Sequence, residues 1–248
     1  MTLPFDLTPG AALFLAAAIL VAAFIRGYSG FGFAALVVSA AALVTHPLNL
    51  VAVVLFCEFA IILLQWSSIA RDIDGRRVMF LMAGALVGVP AGLWAITGAG
   101  IETARIAIAI YVLVMCGLML RGWQMQRQAT AGDHLAVGVL SGLANGPGMG
   151  GLPVATFFTA QTMKATTFRA TMIAYFALLD IYTAPLLWWH GLVTRDTFIV
   201  TLAAAPLIVV GAWAGGRHFL RTDPQDFRRF AILLLAGLAG LGLMKTVL

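Results

Sequence analysis

Long apolar runs separated by short polar stretches make up most of the chain. A helix needs about 20 consecutive apolar residues to cross the hydrocarbon core of a bilayer. Six runs reach that length, and polar or charged residues separate them. The pattern therefore predicts an all-α integral membrane protein with transmembrane helices over residues 47–67, 78–97, 103–121, 167–189, 197–215 and 229–247.

Two further apolar segments, 10–44 and 135–160, are interrupted near their middle by clusters of glycine. Glycine costs a helix about 1 kcal/mol relative to alanine, and proline about 3 kcal/mol. The apolar arms on either side have roughly 12–16 residues, which form about 18–24 Å of helix. Such arms are shorter than a hydrocarbon core of about 30 Å. The sequence therefore predicts two broken helices or re-entrant hairpins, so that the chain has eight hydrophobic segments.

The second part of the chain repeats the first. Gly30-Phe31-Gly32-Phe33 matches Gly148-Met149-Gly150-Gly151, 118 positions later (148 − 30), and residues 84–93 resemble residues 207–216. An internal repeat with interrupted apolar segments at matching positions is typical of secondary transporters. Each repeat would contain one hairpin followed by three transmembrane helices. The predicted division is a first repeat over residues 1–125, a linker over 126–134 and a second repeat over 135–248.

The composition agrees with lipid as the main solvent of the protein. Hydrophobic residues make up 62% of the chain and charged residues 10%, with a mean hydropathy of +1.00. Soluble domains are about 45–50% apolar and about 25% charged. This composition excludes a cytosolic enzyme, a nucleic-acid-binding protein and a disordered chain. Because the sequence has no metal-ligand spacing and no nucleophile with a plausible base, we expect no metal, no cofactor and no catalytic residues.

The positions of Lys and Arg distinguish two topologies. If segments 10–44 and 135–160 each cross the bilayer, these residues divide evenly, seven on each side, with Arg26 left out because it lies at an interruption. If both segments enter and leave on the same side, one side holds eleven and the other only three, Arg105, Arg195 and Lys245. Lys and Arg accumulate in cytoplasmic loops. The count favours two inverted repeats with re-entrant hairpins, periplasmic termini and a cytoplasmic linker, and leaves eight plain spans as the alternative.

Re-entrant hairpins would place two helix N-termini inside the bilayer. A helix N-terminus presents free N–H groups and the positive end of the helix dipole, and glycine lets the backbone approach a ligand closely. Two such N-termini facing each other would form an anion site, whereas the alternative is that the glycines only allow close helix packing. The candidate substrate-binding residues at the two interruptions are Ser29, Gly30, Phe31, Gly32, Asn145, Gly146, Gly148, Met149, Gly150 and Gly151.

Three ionisable residues lie within apolar segments. Arg26 precedes the first interruption, and Glu58 and Asp180 lie inside predicted transmembrane helices. Ionisable residues at that depth usually face a cavity or a partner, and often have a functional role. Arg26 is a candidate clamp on a substrate anion or, alternatively, the ion-pair partner of Glu58. Glu58 and Asp180 are candidates for proton coupling, with a structural ion pair or a polar helix contact as the alternative.

Around the glycine clusters the sequence resembles the TauE/SafE family of sulfite exporter-like permeases. Gly142-Leu143-Ala144 and Gly148-Met149-Gly150-Gly151-Leu152-Pro153 carry the resemblance in the second repeat, whereas Gly30-Phe31-Gly32-Phe33-Ala34 in the first lacks the family's glycine triplet. The resemblance covers nearly the whole chain. It implies transport, usually export, of small anions such as sulfite, organosulfonates or carboxylates across a bacterial cytoplasmic membrane.

The residues and the resemblance together predict a secondary transporter of a small anion. The substrate would bind between the two hairpin tips, and one repeat would rock against the other to give alternating access. The expected partners are this anion, the lipid bilayer and protons as a candidate coupling ion, and no nucleic acid is expected. An anion channel on the same scaffold is one alternative, and a membrane-embedded enzyme or assembly subunit is another. The sequence leaves the substrate, the direction of transport and homo-oligomer formation open.

Overall fold

The computed structural model describes residues 3–122, 124–219, 232, 233, 236, 237 and 240. Within these residues the chain is helical and contains no strand. Short 3₁₀ turns precede the first and third helices and follow the third. The helices are α1 (Pro9–Ser29), α2 (Phe33–Val44), α3 (Val51–Ile69), α4 (Gly75–Thr97), α5 (Ile101–Leu120), α6 (Ala131–Asn145), α7 (Gly151–Thr159), α8 (Ala165–Trp189) and α9 (Arg195–Phe219).

Six helical stretches in the described part of the chain are long and apolar enough to cross a membrane. Their outer surfaces carry large apolar side chains: Leu13, Trp94, Leu202 and Trp189 are between 74% and 87% exposed. A soluble protein rarely leaves so much apolar surface in contact with water. The chain is therefore a multi-pass membrane protein, and its candidate spans are Pro9–Ser29, Pro47–Trp66, Gly75–Thr97, Ile101–Leu120, Ala165–Trp189 and Arg195–His218.

Five of the six predicted transmembrane helices are confirmed as candidate spans, with ends that move by a few residues. Three of them continue through an internal proline, at Pro90, Pro185 and Pro206. The remaining predicted helix, 229–247, lies outside the described residues except for the five isolated positions between 232 and 240.

The first arm of segment 10–44 is longer than the sequence predicted. It forms α1, with 21 residues, instead of an arm of 12–16. The helix begins after Thr8, whose hydroxyl accepts a hydrogen bond from the backbone N–H of Ala11, and it continues through Gly27 to Ser29. Gly27 does not stop the helix because it packs tightly against α9. The other three arms, α2, α6 and α7, have 12, 15 and 9 residues.

Glycine backbone conformations produce both interruptions. Gly30 and Gly32 separate α1 from α2 with φ angles of 81° and 94°, and Gly148 lies between α6 and α7 with a φ of 77°. Residues with a Cβ rarely adopt such angles, so these positions favour glycine. The chain leaves the helical conformation at each cluster and starts a new helix within a few residues.

The start of α6 is fixed by a capping box in the predicted linker. The Thr130 hydroxyl accepts from the backbone N–H of Asp133, and the Asp133 carboxylate accepts from the Thr130 N–H. The Arg127 guanidinium donates two hydrogen bonds to the same carboxylate, at 2.6 and 2.7 Å. These bonds hold the pKa of Asp133 well below its usual range. The cap satisfies helix N–H groups that would otherwise lack an acceptor.

The helix α6 packs along α4 through glycines on both helices. A Cβ added at Gly88 would overlap the backbone oxygen of Val139, and one added at Gly92 would overlap that of Leu143. Residues later in α4 contact residues later in α6, so the two helices run parallel. Such close backbone approach through small residues is common between membrane helices.

An equivalent contact joins α1 to α9. A Cβ added at Gly211 would lie 2.8 Å from the backbone oxygen of Leu20, and one added at Gly215 would overlap that of Phe24. These helices also run parallel. The glycines of α4 and α9 are 123 positions apart (211 − 88), the spacing at which residues 84–93 resemble residues 207–216. Each contact therefore joins the first helix of one half of the chain to a long helix of the other half.

The direction of α8 relative to α4 follows from two hydrogen bonds. The backbone N–H of Asp74 donates to the Thr171 hydroxyl at 3.1 Å, and the Tyr182 hydroxyl donates to the Leu86 carbonyl at 3.0 Å. The residue numbers increase in the same direction along both helices, so α4 and α8 run parallel. The turn between α8 and α9 is short, which makes these two helices antiparallel. Because α1 is parallel to α9, and α9 is antiparallel to α8, α1 runs opposite to α4, α6 and α8.

Candidate functional site

Both glycine clusters line one small cavity inside the helix bundle. The start of α2 contributes Gly32, Ala34 and Ala35, and Glu58 and Phe176 project from α3 and α8. The cavity has a volume of about 10 Å³, which is at most enough for one water molecule. The rest of its lining comes from the second interruption: Asn145, Gly148, Met149, Gly150, Gly151 and Leu152.

The guanidinium of Arg26 is fully buried beside this cavity. Arg26 lies in the last turn of α1, and its Nε is 3.4 Å from Oε1 of Glu58. Its Cζ is 4.6 Å from the centre of the Phe176 ring, in a cation–π arrangement. Among the described residues, none accepts a hydrogen bond from Nε, Nη1 or Nη2 of Arg26. A guanidinium has five N–H donors, and buried donors are nearly always paired, so this group retains unused binding capacity.

The two buried carboxyl groups belong to the same cluster. Glu58 and Asp180 are 5% and 4% exposed. Asp180 is close enough to interact electrostatically with both Arg26 and Glu58, and its Oδ2 has no hydrogen-bond partner in the part of the chain that the structure describes. The Glu58 carboxylate also faces the backbone amide of Ala34 in the first turn of α2. The structure thus brings together the three ionisable residues that the sequence singled out.

Three residues of the first interruption form the turn and do not line the cavity. The Ser29 hydroxyl lies 2.8 Å from the Ile25 carbonyl and 2.9 Å from the Phe31 carbonyl, both of which can accept its proton, and it accepts from the Phe31 N–H. Its single donor is therefore used within its own turn. Gly30 packs against the side chain of Arg169, and Phe31 is buried against the edge of Phe168. Of this cluster only Gly32 reaches the cavity.

Hydrogen bonds hold the backbone of the second interruption. The Ser141 hydroxyl donates to the Gly150 carbonyl at 2.6 Å, and the Tyr175 hydroxyl lies 2.7 Å from the Ser141 oxygen. Because Ser141 has one hydroxyl hydrogen, Tyr175 must be the donor of the second bond. The Tyr111 hydroxyl donates to the Met149 carbonyl at 3.3 Å. These bonds fix the carbonyl groups that precede α7.

The same region leaves amide hydrogens at the start of α7. Leu152 donates its N–H to the Met149 carbonyl, and Pro153 has none to donate. The Gly151 N–H has no acceptor among the described residues. A Cβ at Gly151 would lie 2.5 Å from Cζ of Phe176, so only glycine allows this close approach. The α7 N-terminus therefore places an amide donor at Gly151, a residue that lines the cavity.

Asn145 and Gly146 have different roles in this arrangement. The Asn145 side chain lines the cavity and donates from Nδ2 to the Thr183 hydroxyl at 2.9 Å. The second hydrogen of that amide group has no acceptor among the described residues. Gly146 packs against the α4 backbone at Gly92 and is a helix-packing position.

Sequence reasoning missed Phe176, Tyr175, Thr183 and Ser141, which complete the site. Phe176 lies four residues before Asp180 on α8, so the two share a helix face. This spacing is the signal that could have placed Phe176 beside the buried charges. The contacts of Ser141 and Thr183 join residues far apart in the chain, and no local pattern marks them.

The cluster combines hydrogen-bond donors and acceptors around one buried guanidinium. The buried guanidinium, the two helix N-termini and the Asn145 amide nitrogen supply donors, whereas the Asn145 amide oxygen and the carboxyl groups of Glu58 and Asp180 supply acceptors. Charge-assisted donors such as the guanidinium bind oxyanions strongly. Within the described residues no group of three or more His, Cys, Asp and Glu side chains could hold a metal ion. Cys57 and Cys116 are buried free thiols.

The comparisons with known proteins point in the same direction. The family model for the sulfite exporter TauE/SafE matches residues 15–242. No curated protein and no solved structure matches the chain. The matched residues include both glycine clusters, Arg26, Glu58 and Asp180. Since the match covers nearly the whole chain, the protein belongs to the sulfite exporter TauE/SafE family of membrane transporters, which are not enzymes.

Proposed function

We propose that the protein is a secondary transporter that exports a small anion, either sulfite, an organosulfonate or a related carboxylate. The substrate site is the cavity between the two interruptions. The observation that carries the proposal is the fully buried Arg26 guanidinium, whose N–H groups have no hydrogen-bond acceptor among the described residues. A buried charge without hydrogen bonds is costly, and a bound oxyanion would supply the acceptors that Arg26 lacks.

In the proposed complex the anion lies between Arg26 and the two helix N-termini. The guanidinium fork matches two oxygens of a sulfonate, sulfite or carboxylate group. The amides at Gly32 and Gly151 and the free hydrogen of the Asn145 amide are the further donors. The cavity of about 10 Å³ is too small for such a group, so binding requires movement of Phe176 or Glu58, the two side chains that lie against Arg26.

The two halves of the chain, 1–125 and 135–248, are in this proposal inverted repeats joined by the linker 126–134. Support comes from the opposite directions of α1 and α6, the first helices of the two halves. Further support comes from the equivalent glycine contacts of α4 with α6 and of α9 with α1. Repeats related in this way would expose the site alternately to the two sides of the membrane.

Segments 10–44 and 135–160 are proposed to be re-entrant hairpins. The returning helices α2 and α7 have 12 and 9 residues, or about 18 and 13 Å at about 1.5 Å per residue. Both are too short for a hydrocarbon core of about 30 Å. The distribution of Lys and Arg then assigns both termini to the periplasm and the linker to the cytoplasm of a bacterial inner membrane.

The exchanged helix contacts change the proposed motion. A whole repeat could not rock against the other without separating α4 from α6 and α1 from α9, whose backbones touch at glycines. We propose instead that each of these pairs moves as one body and that the helices carrying the charged cluster rearrange between them. Glu58 and Asp180 are the candidates for proton linkage, because both interact with the charge of Arg26.

The test of this function is anion flux into or out of reconstituted vesicles, with and without a pH gradient. Sulfite, methanesulfonate and acetate form the panel. We expect saturable flux that responds to the gradient, and Arg26→Gln should lower it about tenfold or more, the equivalent of losing a charged hydrogen bond. Arg71→Gln, which removes an exposed arginine between α3 and α4, is the matched control and should transport normally.

Normal flux in the Arg26→Gln variant would contradict the proposed site. Large unitary currents in place of saturable flux would assign the scaffold to an anion channel. Flux of none of the three anions above protein-free vesicles would overturn the transport proposal itself.

A further inference from the structure

The carboxylate of Glu58 contacts hydrogen-bond donors of the proposed anion site. Its carboxylate is 3.4 Å from Nε of Arg26 and faces the Ala34 amide in the first turn of α2. It also lines the cavity that contains the second interruption. A guanidinium and a helix N-terminus are the two groups expected to bind a substrate oxyanion. The chain thus places one of its own anions against the donors that the substrate would use.

The surroundings leave no space for a second anion beside Glu58. The cavity has a volume of about 10 Å³, and the Phe176 ring covers the face of the Arg26 guanidinium. A carboxylate and a sulfonate present oxygens in similar ways to a guanidinium fork. Occupation of Arg26 by Glu58 and occupation by a substrate are therefore alternatives at the same position.

The charges around Glu58 make this competition depend on protonation. Among the described residues, the ionisable groups that interact with it are Arg26 on α1, Asp180 on α8 and the neighbouring Cys57 on α3. The helix α2 contributes the backbone amide of Ala34, and Arg169 on α8 is close enough to Arg26 to interact with its charge. Two ionised carboxylates and a substrate anion would outnumber the guanidinium charges of Arg26 and Arg169 by three to two. This leaves net negative charge in a medium of low dielectric constant. A proton on Glu58 removes the competing charge.

We propose that Glu58 is a built-in substitute for the substrate: its carboxylate occupies the anion position of Arg26 in the empty protein and leaves it as a neutral acid when the anion binds. Each bound anion is then accompanied by one proton. This inference rests on the proposed transport function, because it assigns a role to Glu58 within the same site.

The test is binding of methanesulfonate to the purified full-length protein, measured by titration calorimetry. Methanesulfonate keeps a single negative charge at every pH used. Titration in two buffers of different ionisation enthalpy gives the number of protons taken up with each anion. For the wild-type protein we expect an uptake that approaches one proton per anion as the pH rises and a Kd that increases by up to about tenfold per pH unit.

Glu58→Gln and Asp180→Asn form a matched pair of variants. Glu58→Gln removes the competing charge at the anion position, so it should bind methanesulfonate about tenfold or more tightly than the wild type at about pH 8, with no proton uptake. Asp180→Asn removes a buried carboxylate that lies near Arg26 without being its ion-pair partner. It should change the affinity less and keep the proton uptake.

Equal effects of the two substitutions would overturn the inference, because they would indicate a general effect of negative charge. Wild-type binding without proton uptake would overturn it as well, and that measurement decides the matter even if Glu58→Gln fails to fold. Neither result would contradict the proposed transport function, which the sulfite flux assay and the Arg26→Gln variant test separately. If methanesulfonate does not bind to the wild-type protein, both the sulfonate site and the role of Glu58 in it are wrong.

Discussion

Arg26 lies in the last turn of α1, just before the helix ends at Gly30. Its long side chain extends toward Glu58 on α3 and Phe176 on α8, so one residue connects three helices. Burial costs this charge its hydration. Glu58, the nearby Asp180 and the Phe176 ring compensate for it, and none of the described residues accepts a hydrogen bond from the guanidinium. Ionisable residues buried within membrane-spanning segments usually mark functional sites.

The hydrogen bond between Asn145 and Thr183 provides a prediction at the residue scale. Thr183→Val removes the acceptor for Nδ2 of Asn145 while it preserves the shape of the side chain. A buried donor without a partner costs about 1–3 kcal/mol, and the amide group is no longer held in the cavity. We expect the KM for the transported anion to rise about fivefold or more, as measured by initial rates in vesicles.

Thr183→Ser supplies the control for that substitution, since it restores the hydroxyl. It should transport with a KM close to that of the wild type. If the valine and serine variants were indistinguishable, Thr183 would not position Asn145.

At the scale of helices, glycine has two different functions in this molecule. Gly30, Gly32 and Gly148 provide φ angles that end or begin helices. Gly88 and Gly211 lie within continuous helices, where their missing side chains let two backbones touch. Only the first function interrupts a helix. The sequence does not distinguish the two functions, and this is why it predicted a first arm of segment 10–44 that is shorter than α1.

Close packing of α4 on α6 predicts a large effect of a single methyl group. In Gly88→Ala the added Cβ would overlap the Val139 carbonyl, and overpacking of this kind costs about 1–3 kcal/mol. Gly211→Ala should have a similar effect, because its Cβ would lie 2.7 Å from that of Ala23. We expect both variants to unfold at lower temperature than the wild type in detergent solution.

Gly117→Ala on α5 is the matched control for these substitutions. No atom lies within 4 Å of a Cβ at that position, and alanine favours a helix by about 1 kcal/mol over glycine. The control should therefore be as stable as the wild type or slightly more stable. Equal unfolding temperatures for all three alanine variants would contradict the packing role of Gly88 and Gly211.

The sequence was informative where the determining forces act locally. The thickness of the hydrocarbon core sets the length of an apolar run, and glycine clusters mark breaks wherever they occur. The sequence also identified Arg26, Glu58 and Asp180, because charge inside apolar segments is rare. It could not place Phe176 or the bond between Tyr175 and Ser141, because these depend on which helices become neighbours. The sequence also did not show that the Ser29 hydroxyl donates its hydrogen bond within its own turn.

At the scale of the whole molecule, the charge distribution makes a prediction about topology. Eleven Lys and Arg residues lie on one proposed side and three on the other, and positive charge resists export from the cytoplasm. A reporter enzyme that is active only in the cytoplasm should therefore be inactive when fused after Leu248. The same reporter fused within the linker, after Gln126, should be active. The opposite pattern would reverse the proposed orientation, and activity at both positions would contradict the re-entrant hairpins.

The exchange of helices between the halves also constrains how the protein is made. When α1 leaves the ribosome, its glycine-bearing face has no partner, because α9 is synthesised only after seven further helices. Lipid or the insertion machinery must cover that face until α9 is made. By contrast, only α5 is synthesised between α4 and its partner α6. The contact of α1 with α9 therefore forms late in the assembly of the bundle. A nascent chain released before that point would contain a preformed α4–α6 pair and an α1 still without its native neighbour.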